Sequence, residues 1–319
     1  MHITELLLQL PEDTKAKVEN AKNSYNRVIR EALRFESRLS LNSGRSDDVS
    51  EDNSTRVPVR LDMGHPETIE GFFIPKKYDF AAMLSRIRPE LVKLKESSDV
   101  VTNFICEHQQ IAEMSEFVGG GICYAESEAK KLLELVDEYD LVRELLNVNN
   151  NILGRYRYSS SQQYSGFPHS TSREILLYWG IIGIMAPRLG VRVEALSAVV
   201  LAHELSHAYS HAGYDIDGNR WNDECFESSE IAVIEGLAQY YTERGLSRLA
   251  YKIPGSWDAY NRLLERQNES YLAHKIWINE IKATPESVRE TLIRARNIRG
   301  LSLIDFNNLL HQTNIRKCR

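Results

Sequence analysis

The stretch VVLAHELSHAYSHAG, residues 199–213, places His203, His207 and His211 at four-residue intervals, with Glu204 beside the first. Its first half, His203-Glu204-Leu205-Ser206-His207, is an HExxH array. Residues four apart on a helix are turned by about 40° and raised by one turn, so both imidazoles can reach the same ion. Glu204 projects about 100° from His203. That keeps it from coordinating the ion but leaves it beside a water there, where a general base belongs. The chemistry these residue types offer is metal-assisted hydrolysis.

An array of this kind needs a third ligand. His211 is separated from His203 by about 12 Å of axial rise on a straight helix and cannot share its ion; it reads as a surface or helix-end histidine, with assistance to an oxyanion left open. An HExxHxxGxxH extension fails, because Ser210 and Gly213 stand where Gly and His are required. Downstream, SSEIAVIEGLAQYYTERG at 228–245 reads as a second helix, with serines at its start and Gly245 at its end. Glu235 sits in its middle among Ile231, Ala232, Ile234, Leu237 and Ala238. An unpaired carboxylate on such a surface is costly, and zinc shared with two histidines offsets that cost. Tyr240 and Tyr241 point away from Glu235 on a helix and read as packing residues.

HExxH on one helix with EGLAQYYTE on the next resembles the gluzincin, or thermolysin-like, zinc metallopeptidases, over residues 155–245. The resemblance implies that His203, His207 and Glu235 hold one Zn2+ per chain and that Glu204 is the catalytic base. It also implies a zincin-like core with an edge strand ahead of the zinc helix, for which REILLYWG, with Ile175 to Tyr178, is suitably placed. An extended peptide substrate adds to such an edge through main-chain hydrogen bonds. Thermolysin-like enzymes commonly carry an Asp four residues after the ligand Glu. Here the position is Gln239, a neutral amide that can accept a histidine N–H as an outer partner but does not raise ligand basicity as a carboxylate does.

The elements that must carry this set are mostly helical. TKAKVENAKNSYNRVIREALRFESRLS, residues 14–40, keeps Val18, Ala21, Tyr25, Val28, Ile29, Ala32 and Leu33 at helical spacing. SLNSGRSDDVSEDNSTR has almost no apolar residue and reads as a flexible connector. VPVRLDM and TIEGFFIP read as short strands, and ESEAKKLLELVDEYDLVRELLNV as an amphipathic helix entered through the GGG turn at 119–121. GRYRYS and REILLYWG read as two strands around a polar loop, and the zinc helix begins near Val193. GYDIDGNRWNDE, residues 213–224, has the acidic spacing of a calcium loop without its glycine and final glutamate, and reads as an acidic loop near the site. A further helix starts with Thr284 as cap and Pro285 as first residue.

The expected class is therefore α+β, dominated by helix. Residues 1–40 form an N-terminal helix, 41–57 a connector, 58–150 a mixed and mostly helical region, 151–250 the zincin-like core, and 251–319 a helical end. A formal charge of −6 and pI near 5.9 give no electrostatic footprint for nucleic acid or an anionic membrane. The run ILLYWGIIGIMAP is too short to span a bilayer, and MHITELLLQLPEDTK lacks the apolar core of a signal peptide. Cys106, Cys123, Cys225 and Cys318 are scattered as reduced thiols are. These features point to a cytoplasmic zinc peptidase acting on a protein or peptide. The rival readings are a zinc-binding regulatory or interaction protein without turnover, and a hydrolase of non-peptide amides. Intact Glu204 argues against the first of these, since a structural zinc needs no base.

Overall fold

The computed structural model describes residues 3–41, 57–64, 90–97, 124–135 apart from 126, 141–148, 152–158 and 173–317. In chain order the elements used below are α1 (Ile3–Leu8), α2 (Thr14–Ser37), β1 (Val59–Asp62), α3 (Leu141–Val148), β2 (Gly154–Tyr158), β3 (Arg173–Tyr178), α4 (Trp179–Leu189) and α5 (Val193–Ala212). They continue with α6 (Asp223–Glu227), α7 (Ile231–Leu249), α8 (Ser256–Leu264), α9 (Glu269–Lys275), a π-helical turn at Ile276–Glu280, α10 (Pro285–Ala295) and α11 (Leu303–Lys317). Among the described residues helix dominates and one small sheet accompanies it, as an α+β chain requires. The connector between residues 42 and 56, the strand TIEGFFIP and the GGG turn lie outside the described residues.

Helix α5 is buried on nearly every side from Ala195 to Ala212. A helix that is apolar all round belongs in the middle of a protein, and α5 is packed by α2, α4, α7, α8 and β2. Helix α2 contributes Val18, Ile29, Ala32 and Leu33 to the same continuous core and also packs on α7. The N-terminal helix is thus part of the wall that encloses the histidine helix. Gly213 ends α5, but its backbone is extended (φ −68°, ψ 128°), not left-handed. Glycine is needed there for space, since a β-carbon would come within 2.3 Å of the Tyr209 carbonyl oxygen and 2.9 Å of Leu39 Cβ.

The described sheet has the order β1-β3-β2. Strand β3 pairs parallel with β1, Val59 opposite Ile175, and antiparallel with β2, Ile175 opposite Tyr156. This corrects the expectation that Ile175 to Tyr178 forms an edge. With Ile175 and Leu177 fully buried and Tyr178 nearly so, β3 has the texture of an inner strand. Among the described residues β1 and β2 each pair on one side only, and of the two it is β2 that runs along α5. The helix expected at 285 begins as read, with the Thr284 hydroxyl accepting the Ser287 N–H at 3.1 Å. Among the described residues no helix is long and apolar enough to cross a membrane.

Candidate metal centre

His203 and His207 leave α5 on one face, and α7 crosses that face with Glu235. His203 Nε2 and His207 Nε2 are 3.1 Å apart, and Glu235 Oε2 lies 3.2 Å from the first and 3.4 Å from the second. These three residues form a group that could hold a metal ion. A tetrahedral ion with bonds of 2.0–2.1 Å to nitrogen and oxygen needs ligand atoms roughly 3.3 Å apart, which is the spacing found. Glu235 Oε2 is moreover buried without a hydrogen bond. A buried acceptor in that state is expensive, and a cation at the centre of the three atoms satisfies it. The residues present fit a zinc ion.

Helix α9 packs on α7 and closes the group there. Glu243 on α7 takes Lys275 Nζ at 2.7 Å and lies 3.0 Å from His274 Nε2, which ties α9 down. Tyr271 of α9 then stacks on His203, centroids 5.7 Å apart, and its hydroxyl bonds Glu235. Nothing in the spacing singled Tyr271 out, because it stands 36 positions beyond Glu235 on an element defined only by packing. Burial, with the charges of Glu235 and Glu204 nearby, raises its phenol well above the ordinary range.

Glu204 occupies the neighbouring position. It is 4% exposed, its Oε2 has no hydrogen-bond partner, and the Tyr156 N–H of β2 bonds its carboxylate. Strand β2 approaches so closely that a β-carbon on Gly154 would lie 2.8 Å from Val200 Cγ1 and 3.1 Å from Glu204 Cγ. Burial raises the Glu204 carboxyl, and His203 and His207 only partly offset it. Burial acts on Glu235 in the same sense, but there the two histidines prevail and hold the carboxyl at about 2. Burial likewise opposes protonation of His207, and Glu235 outweighs it, so that its imidazole is raised. Two carboxylates on facing helices are thereby separated into an acidic one among the imidazoles and a more basic one beside them.

Gln239 is 3% exposed, one turn after Glu235. Its Nε2 donates to Gln267 Oε1 at 2.8 Å, while its own Oε1 and His203 Nδ1 are both buried without a partner. The amide therefore lies in the right layer but makes no direct bond to the histidine.

His211 differs from its reading as a surface residue. It is fully buried, 3.1 Å from the Tyr156 hydroxyl through Nδ1 and 3.1 Å from Asp223 Oδ1 through Nε2, and stacked on Phe226 at 4.1 Å. The reason is that α6 folds back over the last turn of α5, which no local pattern in 203–213 shows. His211 stands outside the His203, His207 and Glu235 group, as its axial distance requires. In the acidic loop, Asp215 Oδ1 accepts the N–H groups of Asp217 and Asn219 at 3.0 and 2.9 Å, and Oδ2 lies 3.6 Å from Arg296. These contacts are those of a braced turn. Tyr240 and Tyr241 are buried at 2% and 0% against the core, with Tyr240 facing Trp277. Comparison with known protein families, with curated proteins and with solved structures finds no match for this chain.

Proposed function

We propose that this chain is a cytoplasmic zinc-dependent peptidase of gluzincin type, with a zincin-like core made of β2, β3, α5 and α7. The observation that carries the reading is the convergence of His203, His207 and Glu235 to within 3.4 Å beside an unpaired Glu204 oxygen. His203, His207 and Glu235 would hold the ion. Zinc there supplies Lewis acidity, polarising a carbonyl and making a water a nucleophile at neutral pH.

The chain's own residues do the rest. Glu204 takes one proton from the attacking water as its oxygen bonds the carbonyl carbon, and returns that proton to the nitrogen as the C–N bond breaks. A raised carboxyl suits both halves of that transfer better than an ordinary one. The Tyr156 N–H keeps Glu204 beside β2, and Tyr271 holds Glu235 through its hydroxyl. An extended peptide is the natural substrate for this arrangement. Among the described residues β2 has a partner only on its β3 side, and a peptide paired along its other edge runs past Glu204.

The test is Glu204→Gln, with zinc content and digestion of a peptide library read together by elemental analysis and mass spectrometry. The reading requires near-normal zinc and a fall in rate of at least about 10²- to 10⁴-fold, the usual worth of a general base. Undiminished hydrolysis in the variant sinks the peptidase reading, and an intact biological effect without hydrolysis transfers the function to a zinc-binding interaction protein.

A further inference from the structure

The third histidine of the run is left without a task by the metal group, yet it is the most enclosed of the three. We propose that His211 is a positioning residue that holds strand β2 in place against Glu204 through the side chain of Tyr156.

Tyr156 touches α5 twice. Its N–H bonds the Glu204 carboxylate, and its hydroxyl meets His211 Nδ1 at 3.1 Å. The two anchor points are seven residues apart on α5, about 10 Å along the axis, so the tyrosine spans two turns of the helix that carries the metal ligands. His211 is itself oriented from behind. Its Nε2–H donates to Asp223 Oδ1 at 3.1 Å, which leaves Nδ1 as the acceptor for the Tyr156 O–H. Asp223 is in turn bound by Arg220 and by Arg173, the latter at 3.1 Å from β3. The chain of contacts thus begins on β3, passes through α6 and the end of α5, and finishes on β2 beside the base.

A buried histidine kept for volume alone needs no such partners. Phe226 and Tyr158 already enclose the ring, at 4.1 and 4.6 Å between centroids, and phenylalanine would fill that place without the cost of burying two ring nitrogens. What histidine adds is a fixed acceptor for one hydroxyl. Among the described residues β2 is strand-paired with β3 alone, so the Tyr156 side chain restrains its distance from α5 directly, and that distance sets where the Tyr156 N–H meets Glu204.

The consequence for catalysis rests on the peptidase reading: a peptide laid on β2 inherits its position, and misplacement of about 1 Å at a reacting centre costs about 10²-fold. The experiment separates the two ideas by reading hydrogen exchange at the amide of residue 156 in the full-length, zinc-loaded chain. Tyr156→Phe removes only the hydroxyl, and His211→Phe removes the acceptor while keeping a ring; if His211→Phe fails to fold, Tyr156→Phe decides alone. In each variant the residue-156 amide is expected to exchange about tenfold faster, the worth of one lost hydrogen bond. Amides of Val233 and Leu237 in α7 and the zinc content stay as they were. Unchanged exchange at 156, or equal acceleration throughout α7, overturns the proposal, the latter because it marks a general loss of stability. If exchange responds as expected while the wild type hydrolyses no peptide, the positioning role stands and the peptidase reading fails.

Discussion

Gly236 and Trp277 are in such close contact that a β-carbon on the glycine would lie 2.9 Å from the indole Cη2, with Ala273 Cβ at 3.2 Å. The residue after Glu235 is therefore the point where α7 admits α9 and the π-helical turn that follows it. That approach is what brings Tyr271 to Glu235 and His203.

Gly236→Ala tests this contact with opposed terms. Alanine gains about 0.5–1 kcal/mol of helix propensity, while overpacking a rigid contact costs about 1–3 kcal/mol. The indole is fully buried and held by Asn307 at 2.7 Å, so it cannot simply swing away. A net loss of roughly 1 kcal/mol is expected in urea unfolding, together with weaker zinc retention. A stabilised variant would show that α9 yields freely.

Zinc loading should be one ion per chain. Glu235→Ala or His203→Ala should strip it, since each removes one of three converging atoms, whereas His211→Phe should keep it. Elemental analysis after metal-replete expression checks this, and zinc lost from the His211 variant but kept by the Glu235 variant would reverse the ligand assignment.

Gln239→Glu should tighten zinc binding. His203 Nδ1 and Gln239 Oε1 are both buried without partners, and a carboxylate at the same place offers the histidine a stronger acceptor. Outer partners of ligand histidines are typically worth 10- to 100-fold in affinity, so competition with a chelator should show a gain on the order of tenfold. Weaker binding in the variant would mean that the Gln239–Gln267 bond matters more than the histidine does.

The pH dependence of stability should carry the mark of His211. Burial lowers its imidazole to about 4, and the hydrogen bond to Asp223 only partly resists that. The folded value lies below the unfolded one of about 6.5, so between the two the unfolded chain binds more protons. Stability from this group is complete above about 6.5 and falls as pH drops toward 4, by up to about 1.4 kcal/mol per pH unit. Asp223 has the carboxylate sign: its bond to His211 and then Arg220 hold it below its ordinary value, and its contribution is lost only at lower pH. Urea titrations at pH 6.5 and 4.5 should show a smaller pH difference for His211→Phe than for the wild type. Equal differences would mean that His211 does not titrate as its burial dictates.

What the sequence by itself determined is the local part of the site. The four-residue spacing of His203 and His207 and the flanking Glu204 follow from helical periodicity, as do the long helix at Thr14 and the Thr284-Pro285 start, because each depends on residues within a turn or two of one another. An apolar helix around Glu235 likewise announced a carboxylate in need of a partner. Tertiary structure alone decided the rest. Whether Ile175–Tyr178 is an edge or an inner strand depends on β1, more than a hundred residues earlier, and whether His211 is exposed depends on how α6 folds over it. Tyr271 and Tyr156 belong to the site only because α9 and β2 pack where they do. Such contacts join residues that share no periodicity, and so leave no pattern in the chain to read.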